Sequence, residues 1–248
     1  MISTRCFQAT WIREQAAALR ARDLRTLEKN ILALELVSRL GREGLEFIFK
    51  GGTSLSKVYQ TIIFHFPQAG APSLSYIAPS VRIELGARSD HWPKERHEIL
   101  SYLSEILSRP IGGATVQSLA AERTFWEKAT LLHAEAHRDP AKPMPARYAR
   151  HYHDLARMAK EPVTERALAD ADLRKRVVAH KAVYFRSGWA RYDLAEPATF
   201  QLLPPAARLP ELEADHRAMA QMFFTTPPPI SEVLETLASL QNRIRQLP

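Results

Sequence analysis

Residues 47–57 read Phe-Ile-Phe-Lys-Gly-Gly-Thr-Ser-Leu-Ser-Lys (FIFKGGTSLSK). The apolar run Phe47-Ile48-Phe49 has the character of a short buried strand and stops abruptly at Gly51-Gly52. Thr53 or Ser54 then suits the N-cap of a helix carrying Leu55, Val58, Tyr59 and Ile62. The expected unit is strand, glycine turn, helix. Backbone N–H groups at a Gly-Gly turn approach an anion closely, and a helix N-terminus adds partial positive charge there. Thr53 and Lys57, four residues apart, share a helix face and reach the same point. The pattern is not the phosphate loop G-x-x-x-x-G-K-[ST]. A glycine pair is also simply a tight turn, and the segment alone leaves both readings open.

Before this unit, residues 10–40 place Leu19, Leu24, Leu27, Ile31, Leu34 and Leu40 near a 3.6-residue period without proline, which predicts helix. After it, residues 67–80 read as loop. VRIELGA (81–87) alternates as a strand, with Val81, Ile83 and Leu85 on one face and Glu84 on the other. A helix is expected over residues 93–107 and a strand over residues 114–120. From Glu122 onward the pattern is almost wholly helical, broken by proline-rich stretches at 140–145, 204–210 and 227–229. These elements predict an α+β chain: a mixed sheet with helices over residues 1–121, then a helical domain over residues 122–248.

The chain has 248 residues, 46% of them hydrophobic and 25% charged, which excludes wholesale disorder. A single cysteine, Cys6, excludes an internal disulfide and a thiolate metal cluster. No apolar run reaches membrane-spanning length and the first residues lack a signal-type apolar core, so the expected location is the cytoplasm, with no membrane partner. The net charge is +7, with 16 basic and 12 acidic residues in 1–124 and 18 and 15 in 125–248. A positive field spread this evenly favours a polyanion such as RNA or a nucleoside triphosphate without specifying one.

Two segments carry further chemistry. Trp126-Glu127-Lys128 and Arg150-His151-Tyr152-His153-Asp154 lie on successive predicted helices. A lysine and an aspartate on facing helices neutralise a phosphate and accept a proton, respectively, or simply pair with each other. Residues 174–191 hold six Lys/Arg and no acid beside Tyr184, Phe185 and Trp189, with Lys181 and Arg186 as candidate RNA contacts. The same spacing suits an amphipathic helix burying Val177, Val178 and Phe185. His133-x-Glu135-x-His137 is not a zinc-protease motif, because Ala134 stands where the glutamate belongs.

In order along roughly residues 25–245, FIFKGGTSLSKVY, PSVRIELGARSDHWP, ERTFWEKATLLHAEAHR, RYARHYHDLARM, VVAHKAVYFRSGWARYD and MFFTTPPPISEVLETLASLQNRI closely resemble the AbiEii/AbiGii-type nucleotidyltransferase toxins, of the DNA polymerase β-like nucleotidyltransferase superfamily. The resemblance implies NTP binding and Mg²⁺-dependent nucleotidyl transfer to an acceptor, RNA being one candidate, within a type IV toxin–antitoxin system that has a cognate antitoxin. It implies that Gly51, Gly52 and Thr53 form the nucleotide-binding turn with Lys57, that Lys128 and Asp154 are catalytic, and that Glu84 stands where a metal-binding strand carboxylate would sit.

The chain departs from the family after Tyr59, where an acidic segment and a D-x-D strand are expected. Between Gly51 and Asp90 the only acids are Glu84 and Asp90. Two-metal nucleotidyl transfer needs two carboxylates on one strand face, which D-x-D spacing supplies. Asp170-Ala171-Asp172 lies in a helical setting, where i and i+2 diverge, and Glu211-x-Glu213-x-Asp215 follows a proline-rich loop. The expectation is a family member with a shortened nucleotidyltransferase sheet and doubtful transfer activity, which retains nucleotide, RNA or antitoxin binding in the inactive case.

Overall fold

Leu27, Ile31 and Leu34 recur at helical spacing and are buried, so the second helix turns one face inward. The structure is a computed structural model that describes residues 8–18, 24–43, 48–49, 60–65, 80–85, 90–100, 104, 107–108, 113–223 and 226–248. Two helices, α1 (Ala9–Ala18) and α2 (Leu24–Arg42), pack together, with Trp11 and Ile12 of α1 buried. Among the described residues five strands follow: β1 (Ile48–Phe49), β2 (Gln60–His65), β3 (Ser80–Leu85), β4 (Lys94–Leu100) and β5 (Gly113–Leu119). β1 and β5 pair in parallel, Ile48 opposite Gln117, in a three-stranded sheet of order β1-β5-β4. β2 and β3 form an antiparallel pair from Gln60–Leu85 to Phe64–Val81 and His65–Ser80. Mixed pairing and helices together make this part α+β. The hydroxyl of Ser38 donates to the carbonyl of Gly113 at 3.2 Å, tying α2 to β5.

The helix proposed to run through Ile62 cannot do so, because residues 60–65 are strand β2; Thr61-Ile62-Ile63-Phe64 is β-branched and aromatic, and pairing with β3 realises that preference. The helix expected over residues 93–107 is strand β4 over residues 94–100. Its charged residues lie exposed on an edge strand, where His97 contacts Glu95 at 3.0 Å on the same side of the strand. Charge on an edge discourages further strand pairing, and pairing with β5 overrides the helical pattern of KERHEIL.

The chain divides into two compact units, Met1–Ser118 with Ala220–Pro227, and Leu119–Met219 with Pro228–Pro248. The second unit is helical: α3 (Ala121–Ala136), α4 (Ala149–Met158), α5 (Val163–Ala169), α6 (Ala171–Tyr184), α7 (Leu209–Met219) and α8 (Ile230–Arg245), with short 3₁₀ turns before α7. α3 is buried on most of its circumference, with Phe125, Trp126, Ala129 and Leu132 fully enclosed. It packs against α4, α5 and α6, while α8 covers α4 with Val233, Leu237, Leu240 and Ile244. Trp126 meets Phe125 and Phe200 edge-on, and its Nε1–H donates to the carbonyl of Ala167 at 2.9 Å. The 164–184 run is two helices because Asp170 stops one and caps the next, accepting the N–H of Leu173 at 2.8 Å.

Candidate functional site

α4 buries Ala149, Tyr152, Leu155 and Ala156, which turns Asp154 toward α3, where Lys128 projects. The Nζ of Lys128 donates to Asp154 Oδ2 at 2.6 Å. The lysine side chain is 11% exposed and the aspartate 45%, so one end of the pair is enclosed and the other open to solvent. Burial acts to raise the Asp154 pKa, but the neighbouring His153 ring and the Lys128 ammonium outweigh it and hold the carboxyl at about 2. His153 Nδ1 lies 3.8 Å from Asp154 Oδ1.

His151 is buried in the same region, and its pKa falls to about 3 through burial, reinforced by the positive charges of Lys128, Arg150 and Lys181. It is therefore a neutral imidazole at physiological pH. Lys181 comes from α6; it is buried, with its Nζ 4.4 Å above the Phe185 ring. The charges of Lys128, Arg150 and Lys181 all act on His151, and of these three Lys128 also pairs with Asp154.

Of the basic segment 174–191, Arg174 is buried and donates to the carbonyl of Ala195 and to Glu196, and Arg191 pairs with Asp193. Lys175, Arg176 and Arg186 are exposed. Gly51, Gly52, Thr53 and Lys57 lie outside the described residues. Glu84 lies in β3 opposite Thr61, and its side chain too falls outside what is described.

The histidines of α3 are committed elsewhere. His133 Nε2 is 3.0 Å from the carbonyl of Arg191 and its Nδ1 accepts the N–H of Gln201 at 3.1 Å, so neither nitrogen is left for a metal. Burial lowers its pKa to about 4. His137 contacts the carbonyl of His133 at 2.8 Å. Among the described residues no group of three or more His, Cys, Asp or Glu side chains converges as a metal site. Beside Lys128, Asp154 supplies one carboxylate, already engaged by an ammonium. This donor set does not fit a two-metal centre.

Residues 58–239 match the family model described as "Nucleotidyl transferase AbiEii toxin, Type IV TA system". The chain belongs to that family. The matched region begins one residue past Lys57 and contains both halves of the Lys128–Asp154 pair. Neither the curated proteins nor the solved structures yield a match. Membership makes this a nucleotidyltransferase-like chain of the type IV toxin–antitoxin class. Among its described residues no helix is long and apolar enough to cross a membrane.

Sequence reasoning named Lys128 and Asp154, which the structure places in contact. Lys181, a candidate RNA contact in a segment that equally suits a packed amphipathic helix, has a buried side chain. Asp215 stands in the sequence only as a member of the Glu211-x-Glu213-x-Asp215 carboxylates, whereas its partners are backbone groups more than sixty residues away, which leave no local signature.

Proposed function

We propose that this AbiEii-family chain binds a nucleoside triphosphate and has lost the nucleotidyl-transfer step. The observation that carries the reading is the 2.6 Å Lys128–Asp154 contact, beside the buried His151 on which the charges of Arg150 and Lys181 also act. An ammonium has three donors. Asp154 holds the Lys128 ammonium in place, and in this reading Lys128, Arg150 and Lys181 supply positive charge that attracts the phosphates. His151 stays neutral and adds no competing proton. Gly51, Gly52, Thr53 and Lys57 are proposed as nucleotide-binding residues of a nucleotidyltransferase-like domain over residues 1–121, with residues 122–248 as the helical domain.

Loss of transfer follows from the carboxylates. Between Gly51 and Asp90 only Glu84 and Asp90 are acidic, so the D-x-D pair that would hold Mg²⁺ against the triphosphate and the attacking oxygen is missing. Glu84 alone does not replace it. Exposed Arg186, with Lys175 and Arg176, is the proposed contact for RNA, and the cognate antitoxin of the system is the proposed protein partner, in the cytoplasm.

Calorimetric titration with ATP, GTP, CTP and UTP tests the reading. At least one should bind, and Lys128→Ala should weaken it at least tenfold, a loss of about 1.4 kcal/mol. Equal affinity of both proteins for every nucleotide would refute it.

A further inference from the structure

α4 lacks a cap of its own. Tyr148, at the N-cap position, is in the right-handed helical conformation and makes no side-chain cap, and Arg147 before it has a positive φ of 66°. The first N–H groups of a helix have no partner within it and need an acceptor. Here the acceptor comes from α7: the N–H of Ala149 donates to Asp215 Oδ2 and the N–H of Arg147 to Asp215 Oδ1, both at 2.7 Å.

One turn earlier on α7, Glu211 Oε2 accepts the N–H of Met144 at 3.2 Å. Glu211 Oε2 also accepts Arg208 Nη1 at 2.9 Å, and Arg208 Nη2 donates to the carbonyl of Asp139 at 2.6 Å. Glu211 and Asp215 are four residues apart and share one helix face. That face, with Arg208, holds the connection from α3 to α4 at Asp139, Met144, Arg147 and Ala149. α3 carries Lys128 and α4 carries Asp154, so the register between the two helices passes through these contacts. Asp154 lies five residues beyond Ala149, roughly 7.5 Å along the helix.

We propose that Asp215 is a positioning residue for the nucleotide site: by accepting both backbone N–H groups it sets where α4 begins, and so holds Asp154 at Lys128. Glu211 and Arg208 assist from the preceding turn. The inference rests on reading the Lys128 cluster as that site, yet its first consequence concerns the cluster's geometry alone. Asp215 touches neither Lys128 nor a nucleotide in this scheme and acts through the backbone of α4.

Asp215→Asn is the informative change, because an amide keeps one acceptor and turns a donor toward the second N–H. In the full chain, the carboxyl of Asp154 is followed by ¹³C NMR from pH 5 to 3, a range in which the wild-type carboxylate, held at about 2, stays largely ionised and a raised midpoint shows as protonation, and ATP affinity is measured at neutral pH. Removing the Asp215 charge would by itself favour ionised Asp154 and lower its midpoint, whereas loosening the Lys128 contact raises it. The direction therefore separates positioning from simple electrostatics. Positioning predicts a midpoint raised by about one unit or more and ATP bound at least fivefold more weakly. A raised midpoint with unchanged ATP affinity upholds the positioning role and overturns the nucleotide reading. An unchanged or lowered midpoint in a folded protein overturns the positioning role. Should Asp215→Asn fail to melt cooperatively, Glu211→Gln is measured in the same way. A smaller upward shift is then expected, and no shift overturns the proposal.

Discussion

Lys128 and Asp154, twenty-six residues apart in the chain, meet at 2.6 Å because α3 and α4 pack against each other with a clamped connection between them. The pair is asymmetric, since its lysine is enclosed and its aspartate half-open. Deleting Asp154 removes the carboxylate that compensates a nearly buried ammonium, while deleting both charges leaves no such imbalance. Asp154→Ala should therefore destabilise the protein by about 1–2 kcal/mol, less than a fully buried pair would cost because solvent screens the open end. Adding Lys128→Met should recover most of that loss. Urea denaturation of both single variants and the double variant checks this, and simple additivity would show that the pair is not coupled.

Acid should unfold the chain in two stages. The pKa values of His133 and His151 are lowered to about 4 and about 3, so between pH 6.5 and those values the unfolded chain binds protons that the folded chain refuses. Their penalty is absent above pH 6.5 and grows as pH falls, at up to about 1.4 kcal/mol per unit for each histidine. Asp154 is depressed to about 2, so its contribution is full above pH 3.8 and disappears as pH falls toward 2. Denaturation midpoints from pH 8 to 3 should decline from pH 6.5 downward, and His151→Gln should flatten the slope.

The indole of Trp126 is fully enclosed and its N–H satisfies the carbonyl of Ala167. Trp126→Phe removes the donor, leaves that carbonyl with only the N–H of Asp170 and opens a void, at a cost of about 1–3 kcal/mol. Thermal unfolding measures it, and an unchanged midpoint would mean that the bond contributes nothing.

Asp170→Ala should cost about 1 kcal/mol through loss of the α6 cap, and Asp170→Asn almost nothing. Equal losses would show that charge, rather than the accepting oxygen, matters at this position.

Much of the helical unit was readable from sequence alone. ERTFWEKATLLHAEAH and SEVLETLASLQNRIRQL carry apolar spacing dense enough to identify α3 and α8, and the alternation in VRIEL identified β3. KERHEIL misled because its charges suit a surface helix as well as an edge strand, and only pairing with β5 decides between them. Gln60–His65 misled because the preceding cap residues suggested that the helix would continue. Lys128 and Asp154 were visible as residue types, but their contact depends on how α3 and α4 pack. The role of Asp215 depends on backbone N–H groups, which every residue but proline possesses and which no residue type marks.

Incubation of the purified chain with α-³²P-labelled NTPs, Mg²⁺ or Mn²⁺, and total tRNA tests most directly whether binding has survived without transfer. The expected result is nucleotide binding with label incorporation at background, identical for wild type and Lys128→Ala. Incorporation above background that Lys128→Ala abolishes would contradict it, and would mean that carboxylates other than a D-x-D pair hold the metal.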